Sequence, residues 1–199
     1  MISKVSSKIV SVLASRSVIN KDDAELYDYG FFILLSQLLY FIIALVTGII
    51  LKIIPQSVIF YLAFLLIRKY AGGYHASTET RCEIFSTLSI VGSITVVKLS
   101  EIYDFKTALF VISAVSAVCI FIFSPLDTPE KPLSQKEFNY FRKISWLILL
   151  AIIISITVSY ILKLNFITAP CCMSLILESI LLSAGKIKKL KDEKKLKTE

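Results

Sequence analysis

Long apolar runs separated by short charged stretches dominate the pattern of hydrophobic and polar positions along the 199-residue chain. A helix that crosses a bilayer needs about 20 predominantly apolar residues. The pattern therefore predicts an all-α fold, a polytopic membrane helical bundle of about six transmembrane helices. The six runs, free of charge except for Glu178 in the last, are Tyr29–Leu51, Ile53–Ile67, Ile84–Val97, Thr107–Leu126, Ile144–Leu162 and Leu164–Gly185.

The second and third runs are shorter than the other four. At about 1.5 Å per residue they reach only ~21–23 Å. They either extend into neighbours such as Tyr70 and Ala71 and thin the bilayer locally, or form a re-entrant hairpin. Six full spans are the prediction adopted, with the hairpin as its alternative.

A basic amphipathic helix is predicted ahead of the first run. Lys4, Lys8 and Arg16 interrupt any apolar core of a cleavable signal peptide, so none is expected. A helix on the inner membrane surface is the favoured interpretation, and a poorly ordered basic leader is the alternative. The apolar positions at helical spacing are Ile2, Val5, Ile9, Val12 and Leu13.

The whole chain is predicted to form a single integral membrane domain over residues 1–199. Residues 1–28 would form the cytoplasmic amphipathic segment and residues 29–185 the six-span region. The Lys-rich tail, 186–199, is expected to contact anionic lipid headgroups and to be partly disordered.

Composition strengthens the membrane assignment. Apolar residues make up 56% of the chain and charged residues 19%, and the mean hydropathy is +0.76. Soluble domains average about 45–50% apolar and about 25% charged, and disordered chains are poor in apolar residues. The net charge of +7 does not indicate nucleic-acid binding, because the basic residues lie between apolar runs.

The distribution of lysine and arginine predicts the orientation. With six spans, both termini, the second-to-third connection and the fourth-to-fifth loop share one side, which holds most of the basic residues. Positive residues favour the cytoplasm, so both termini are predicted to be cytoplasmic. The opposite side holds only Lys52, Lys98, Lys106 and Lys163.

The candidate chemistry lies between the second and third runs, in the stretch R-K-Y-A-G-G-Y-H-A-S-T-E-T-R-C from Arg68 to Cys82. His75, the only histidine of the chain, precedes Cys82 by seven residues, which is two helical turns. On a regular helix their Cα atoms would lie ~10.5 Å apart, so a pair requires a bend. Gly72 and Gly73 supply backbone freedom just before the histidine.

Such a pair fits thiol catalysis. The thiolate is the nucleophile, and an imidazole within hydrogen-bond reach can take the proton and return it to a leaving amine. Arg68, Lys69 and Arg81 would favour the thiolate electrostatically. Spacing alone leaves coincidence as an alternative, but polar chemistry beside short spans is costly unless it is used.

This stretch resembles the signature of the AgrB family, the accessory-gene-regulator membrane cysteine proteases of Gram-positive bacteria. The resemblance extends to the chain length, the six runs and the cytoplasmic His-x6-Cys. It implies His75 as general base and Cys82 as nucleophile. Arg68 and Gly73 also fall at positions of the family motif, with positioning roles.

The resemblance implies a specific reaction. Cys82 would cleave a short AgrD-type quorum-sensing precursor on its C-terminal side and retain the peptide as a thioester. An internal Cys or Ser of the substrate would then close a thiolactone or lactone ring. The thioester retains most of the acyl transfer potential, so ring closure needs no ATP, and a nucleophile held nearby outcompetes water. A homodimer is also implied.

The basic inner face, which includes Lys131, Lys136, Arg142 and Lys143, suits an acidic peptide tail. Positive-inside topology alone is the alternative explanation. A non-catalytic membrane protein that binds or exports a small peptide is the alternative function, since it would use the same face without the thiol.

Other polar and thiol groups have weaker claims. Glu79 either orients His75 or is a solvated acid, and Glu178 either pairs with Arg68 or His75 or snorkels to the interface. No metal, cofactor or nucleotide is expected. Caps or loop contacts are expected for Ser77, Thr78 and Thr80, with donation to an oxyanion as the alternative. Apolar packing is expected for Cys119, Cys171 and Cys172.

Overall fold

A computed structural model describes residues 2–16, 18–20, 23–74, 78–127 and 134–196. These residues form seven α-helices and no strand, which confirms the all-α helical bundle. The helices are α1 (Ile2–Ser15), α2 (Ala24–Ile50), α3 (Ile54–Ala71), α4 (Glu79–Ile102), α5 (Lys106–Phe123), α6 (Gln135–Ile161) and α7 (Asn165–Leu196).

The chain divides into two compact units, residues 1–43 and residues 44–199. In the first unit, the predicted N-terminal helix is confirmed as α1, with Ile2, Ser6 and Val10 buried at helical spacing. The Ser6 hydroxyl donates to the backbone carbonyl of Asp28, at 2.7 Å, and to its carboxylate. Ser7 donates to the other carboxylate oxygen at 3.0 Å, so Asp28 at the start of α2 fastens α1.

The second unit is built around α7. This helix packs against α3, α4, α5 and α6. Of its most apolar stretch 72% is buried, against 22–28% for the corresponding stretches of α4, α5 and α6. The outer helices therefore present apolar side chains outward, as lipid-facing helices do. Leu88, Val115 and Ile154 are examples, each more than half exposed.

Five of the described helices, α2, α4, α5, α6 and α7, are long and apolar enough to cross a membrane. The short third run becomes part of the continuous 24-residue α4, about 36 Å long. The short second run extends through Tyr70 and Ala71 into the 18-residue α3. Its ~27 Å fall slightly short of a bilayer core of ~30 Å. Continuous helices favour full spans over a re-entrant hairpin.

The second unit has two distinct ends. At one end, residues 51–53, 103–105 and 162–164 make short turns, and Lys52, Asp104 and Lys163 adopt positive φ. A hydrogen bond of 2.7 Å from Gln56 to Glu101 ties α3 to α4 there. Residues 72–74 and 124–127, which follow α3 and α5, lie at the other end, which we call the Cys82 end. There α7 continues as helix to Leu196.

Candidate active site

Cys82 lies in the first turn of α4. Thr78 caps this helix: its hydroxyl accepts from the Arg81 amide at 3.4 Å, and its carbonyl accepts from the Cys82 amide at 3.0 Å. The thiol is free and half-buried. The capping role expected for Thr78 is confirmed. The nucleophile candidate therefore lies at a helix N-terminus, where backbone N–H groups favour negative charge.

Arg68 fastens the chain between α3 and the histidine. It lies in the last turn of α3, and its guanidinium bridges two carbonyls of the segment that follows. Nη1 donates to the Gly72 carbonyl at 2.7 Å and Nη2 donates to the Tyr74 carbonyl at 2.8 Å. A planar fork of donors suits this double contact, whereas a lysine ammonium would not reproduce it. Arg68 thus holds the backbone immediately before His75.

Gly72 and Gly73 make this turn possible. Their φ angles are +78° and +141°, a region that side chains disfavour. A Cβ on Gly73 would overlap the Arg68 guanidinium, and one on Gly72 would lie 3.0 Å from the Leu126 carbonyl oxygen. The pair is therefore required by close packing as well as by backbone conformation.

The same segment is docked onto α7. The Tyr74 amide donates to the Leu181 carbonyl at 3.0 Å. One turn further along the same face of α7, a Cβ on Gly185 would lie 3.0 Å from the Tyr74 nitrogen, so glycine is what permits this close approach. Leu126 also contacts this turn: its amide donates to the Ala71 carbonyl at 2.8 Å. Sequence reasoning missed Leu126, Leu181 and Gly185; a glycine inside the last apolar run was the one available signal.

Glu178 faces this arrangement from α7. It is fully buried, and its Oε2 lies 3.8 Å from Nη1 of Arg68, so the pairing with Arg68 weighed from the sequence is confirmed. Neither carboxylate oxygen has a hydrogen-bond partner among the described residues. The snorkelling alternative is wrong, because the side chain does not reach the surface.

Aromatic contacts connect the segment to its neighbours. The Tyr74 ring meets the Phe85 ring edge-on, with centroids 5.8 Å apart. The Lys188 ammonium lies 5.9 Å from the centroid of the Tyr74 ring. Because Phe85 lies three residues after Cys82, Tyr74 contacts the turn of α4 next to the thiol.

The remaining predicted residues are placed as follows. The Lys69 ammonium lies 5.4 Å from the Tyr70 ring, and Lys136 is exposed in the first turn of α6. Glu79 begins α4, but its side chain lies outside the described residues, as do His75, Ser77 and Lys131. Cys171 and Cys172 are buried in α7 and Cys119 is half-buried in α5, all three with free thiols.

These features define a class of protein: a multi-pass helical membrane protein with a thiol at the N-terminus of one candidate span, beside an arginine-fastened glycine turn. Residues 6–182 match the sequence model of one family, described as Accessory gene regulator B. The chain belongs to the AgrB family.

Curated relatives carry related names. The chain is 27% identical over 145 residues to AgrB-like protein 2 of Clostridium perfringens (strain 13 / Type A), covering 69% of this chain and 66% of the relative. It is 32% identical over 143 residues to an AgrB-like protein of Listeria monocytogenes serotype 4a (strain HCC23), covering 67% of this chain and 65% of the relative. The match thus spans just under two thirds of each relative. No solved structure matches the chain.

Proposed function

We propose that this chain is a membrane-embedded cysteine endopeptidase that matures a quorum-sensing propeptide, with Cys82 as nucleophile and His75 as general base. The observation that carries the proposal is the free, half-buried thiol of Cys82 in the first turn of α4, beside the fastened segment that leads into His75. Membership of the AgrB family supports the same chemistry.

The contacts that hold Tyr74 in place support the pairing of His75 with Cys82. Its carbonyl is held by Arg68, its amide by Leu181 and its ring by Phe85. Tyr74, the residue directly before His75, is thereby held near the first turns of α4. A regular helix would separate the two Cα atoms by ~10.5 Å. Thr78 has extended backbone angles, φ −135° and ψ 147°, and α4 begins only at Glu79, so no continuous regular helix runs from His75 to Cys82.

The reaction follows from these groups. The Cys82 thiol gives its proton to His75, and the thiolate attacks the scissile carbonyl of the substrate. The tetrahedral intermediate collapses when His75 protonates the leaving amine, which releases the C-terminal part of the precursor. The retained peptide is then a Cys82 thioester. An internal Cys or Ser of the substrate attacks it, closes the ring and frees the enzyme thiol.

Charge at the Cys82 end supports a substrate with an acidic C-terminal part. Lys69, Lys136, Arg142 and Lys188 all lie at this end, on or near α3, α6 and α7. A basic surface concentrates an oppositely charged peptide and speeds its encounter. We place this end, both termini and Lys131 on the cytoplasmic side, next to anionic headgroups, and we expect the enzyme to act as a homodimer.

Substitution of the two proposed catalytic residues tests the function. Each variant is co-expressed with an AgrD-type precursor: Cys82→Ser should abolish both cleavage and cyclisation, and His75→Ala should slow both strongly. Loss of the general base alone is expected to slow cleavage by about 10²–10⁴-fold. Cys119→Ser is the matched control, because that thiol lies within α5. In the wild-type protein, mass spectrometry should find an acyl adduct on the peptide that contains Cys82.

Retention of cleavage and cyclisation in both variants would contradict the endopeptidase. The protein would then bind or export the peptide without catalysing its maturation.

A further inference from the structure

Glu178 is an acidic side chain inside the central helix of the bundle. It lies within the candidate span Asn165–Lys191 and is fully buried. Both oxygens lack hydrogen-bond partners among the described residues. An ionisable group at such a position is expensive, and it persists where a partner and a use exist. Arg68 is the cation within ion-pair distance of Glu178 in the described part of the chain.

The ion pair is geometrically unusual. At 3.8 Å, the separation of Nη1 and Oε2 exceeds that of a hydrogen bond. The same Nη1 instead donates to the Gly72 carbonyl at 2.7 Å, while Nη2 donates to Tyr74. Glu178 therefore supplies a countercharge behind a guanidinium whose donors are directed at the backbone.

Without that countercharge, Arg68 has an alternative position. The side chain is 21% exposed and lies in the last turn of α3. A long cationic side chain near a helix end snorkels to the interface when nothing retains it. Movement of that kind would release both carbonyls.

Glu178 and Leu181 lie on the same face of α7, and both contact the segment that precedes His75 or the arginine that holds it. Leu181, whose carbonyl accepts from the Tyr74 amide, lies three residues after Glu178 and hence on the same face of the helix. A single face of α7 thus provides a carbonyl for Tyr74 and a charge for Arg68. Both act on the segment that precedes His75.

We infer that Glu178 is a positioning residue that retains the Arg68 guanidinium on the carbonyls of Gly72 and Tyr74 and thereby fixes the backbone that presents His75 to Cys82. This inference rests on the proposed peptidase function. In this inference Glu178 acts through Arg68 and takes no part in making or breaking bonds.

Glu178→Gln is the central variant, because it keeps the shape and removes the charge. Glu101→Gln is the matched control: Glu101 pairs with Lys98 at 3.3 Å at the opposite end. The full-length protein is studied in lipid vesicles. We expect kcat for precursor cleavage to fall about ten- to hundredfold in Glu178→Gln, with little change in KM, since misplacement affects the catalytic step. Glu101→Gln should behave as wild type.

Two readouts separate positioning from general stability. Amide hydrogen exchange across residues 70–78 should accelerate in Glu178→Gln, because Tyr74 loses its anchor. The pH profile of Cys82 alkylation should move toward that of His75→Ala. If Glu178→Gln does not fold, Glu178→Asp retains the charge one methylene further back and should show smaller changes in the same direction. Wild-type exchange and an unchanged alkylation profile in the folded variant would overturn the inference.

A double-mutant cycle tests whether Glu178 acts through Arg68. The double variant Arg68→Gln/Glu178→Gln should lose no more activity than Arg68→Gln alone, since coupled residues are not additive. Independent, additive losses would refute the coupling. Should His75→Ala and Cys82→Ser remain fully active, the peptidase proposal fails, whereas hydrogen exchange still decides whether Glu178 fastens the segment.

Discussion

At the scale of single residues, the glycine pair before His75 has a more specific role than backbone freedom. Gly73 has φ +141°, and the Arg68 guanidinium occupies the space that a side chain would need. The guanidinium approaches because Gly73 has no Cβ, and it then binds the carbonyls on either side of that residue. The position of the Arg68 guanidinium therefore depends on the absence of a side chain at Gly73.

Gly73→Ala should therefore abolish precursor processing while leaving the protein inserted in the membrane. The added methyl displaces Arg68 and strains the backbone, which releases Tyr74. Processing of the co-expressed precursor and the amount of protein in the membrane fraction are the measurements. The control is Gly92→Ala in α4, where an added Cβ meets nothing within 4 Å. Processing equal to wild type in Gly73→Ala would show that Arg68 need not stay in place.

At the scale of elements, the start of α4 positions the thiol. Thr78→Ala removes the side-chain cap, which costs about 0.5–2 kcal/mol in other helices. Because the Arg81 amide lies 3.4 Å from Thr78 Oγ1, a long hydrogen bond, we expect a cost near the lower limit of that range. We expect the first turn of α4 to fray and alkylation of Cys82 to change in rate.

Ser134→Ala provides the comparison for the cap. Ser134 and Glu137 form a reciprocal capping box at the start of α6, so that substitution also frays a helix at the Cys82 end. It should leave the alkylation rate of Cys82 unchanged. Equal changes in both variants would mean that the thiol responds to general loosening and not to its own cap.

At the scale of the whole molecule, the fold of the second unit places its lysines in two groups, one at each end of the helices. Within the second unit, Lys98, Lys106 and Lys163 lie at the end with the short turns, whereas Lys69 and Lys188 lie at the Cys82 end. This sorting accords with the orientation predicted from the sequence, in which the richly basic end faces the cytoplasm.

Thiol labelling in intact cells checks that orientation. Two single-cysteine proteins are needed, one retaining Cys82 and one carrying Lys163→Cys without Cys82, with the other three cysteines replaced by Ala. A reagent that does not cross membranes should label position 163 from outside and leave Cys82 unlabelled. In inside-out vesicles the pattern should reverse. Labelling of Cys82 from outside intact cells would reverse the proposed topology.

Much of the fold and part of the site were predictable from local signals. The apolar runs identified α2 to α7, because a long continuous apolar segment in a bilayer can satisfy its own backbone hydrogen bonds by forming a helix. The His-x6-Cys spacing and the glycine pair indicated the candidate segment and the candidate thiol of Cys82. Leu126, Leu181 and Gly185 were not predictable as parts of the site, because they contribute backbone groups and space, which carry little residue-specific signal.

The sequence by itself therefore determined the membrane class, the helices, the family resemblance and the candidate thiol, since each depends on neighbours along the chain. Only the tertiary structure decided that α7 is the central helix, that Arg68 binds the carbonyls of Gly72 and Tyr74, and that Glu178 is its counterion. Glu178 lies more than a hundred residues from Arg68 along the chain. Their pairing depends on how α3 packs against α7, and helix packing is set by whole faces meeting in space.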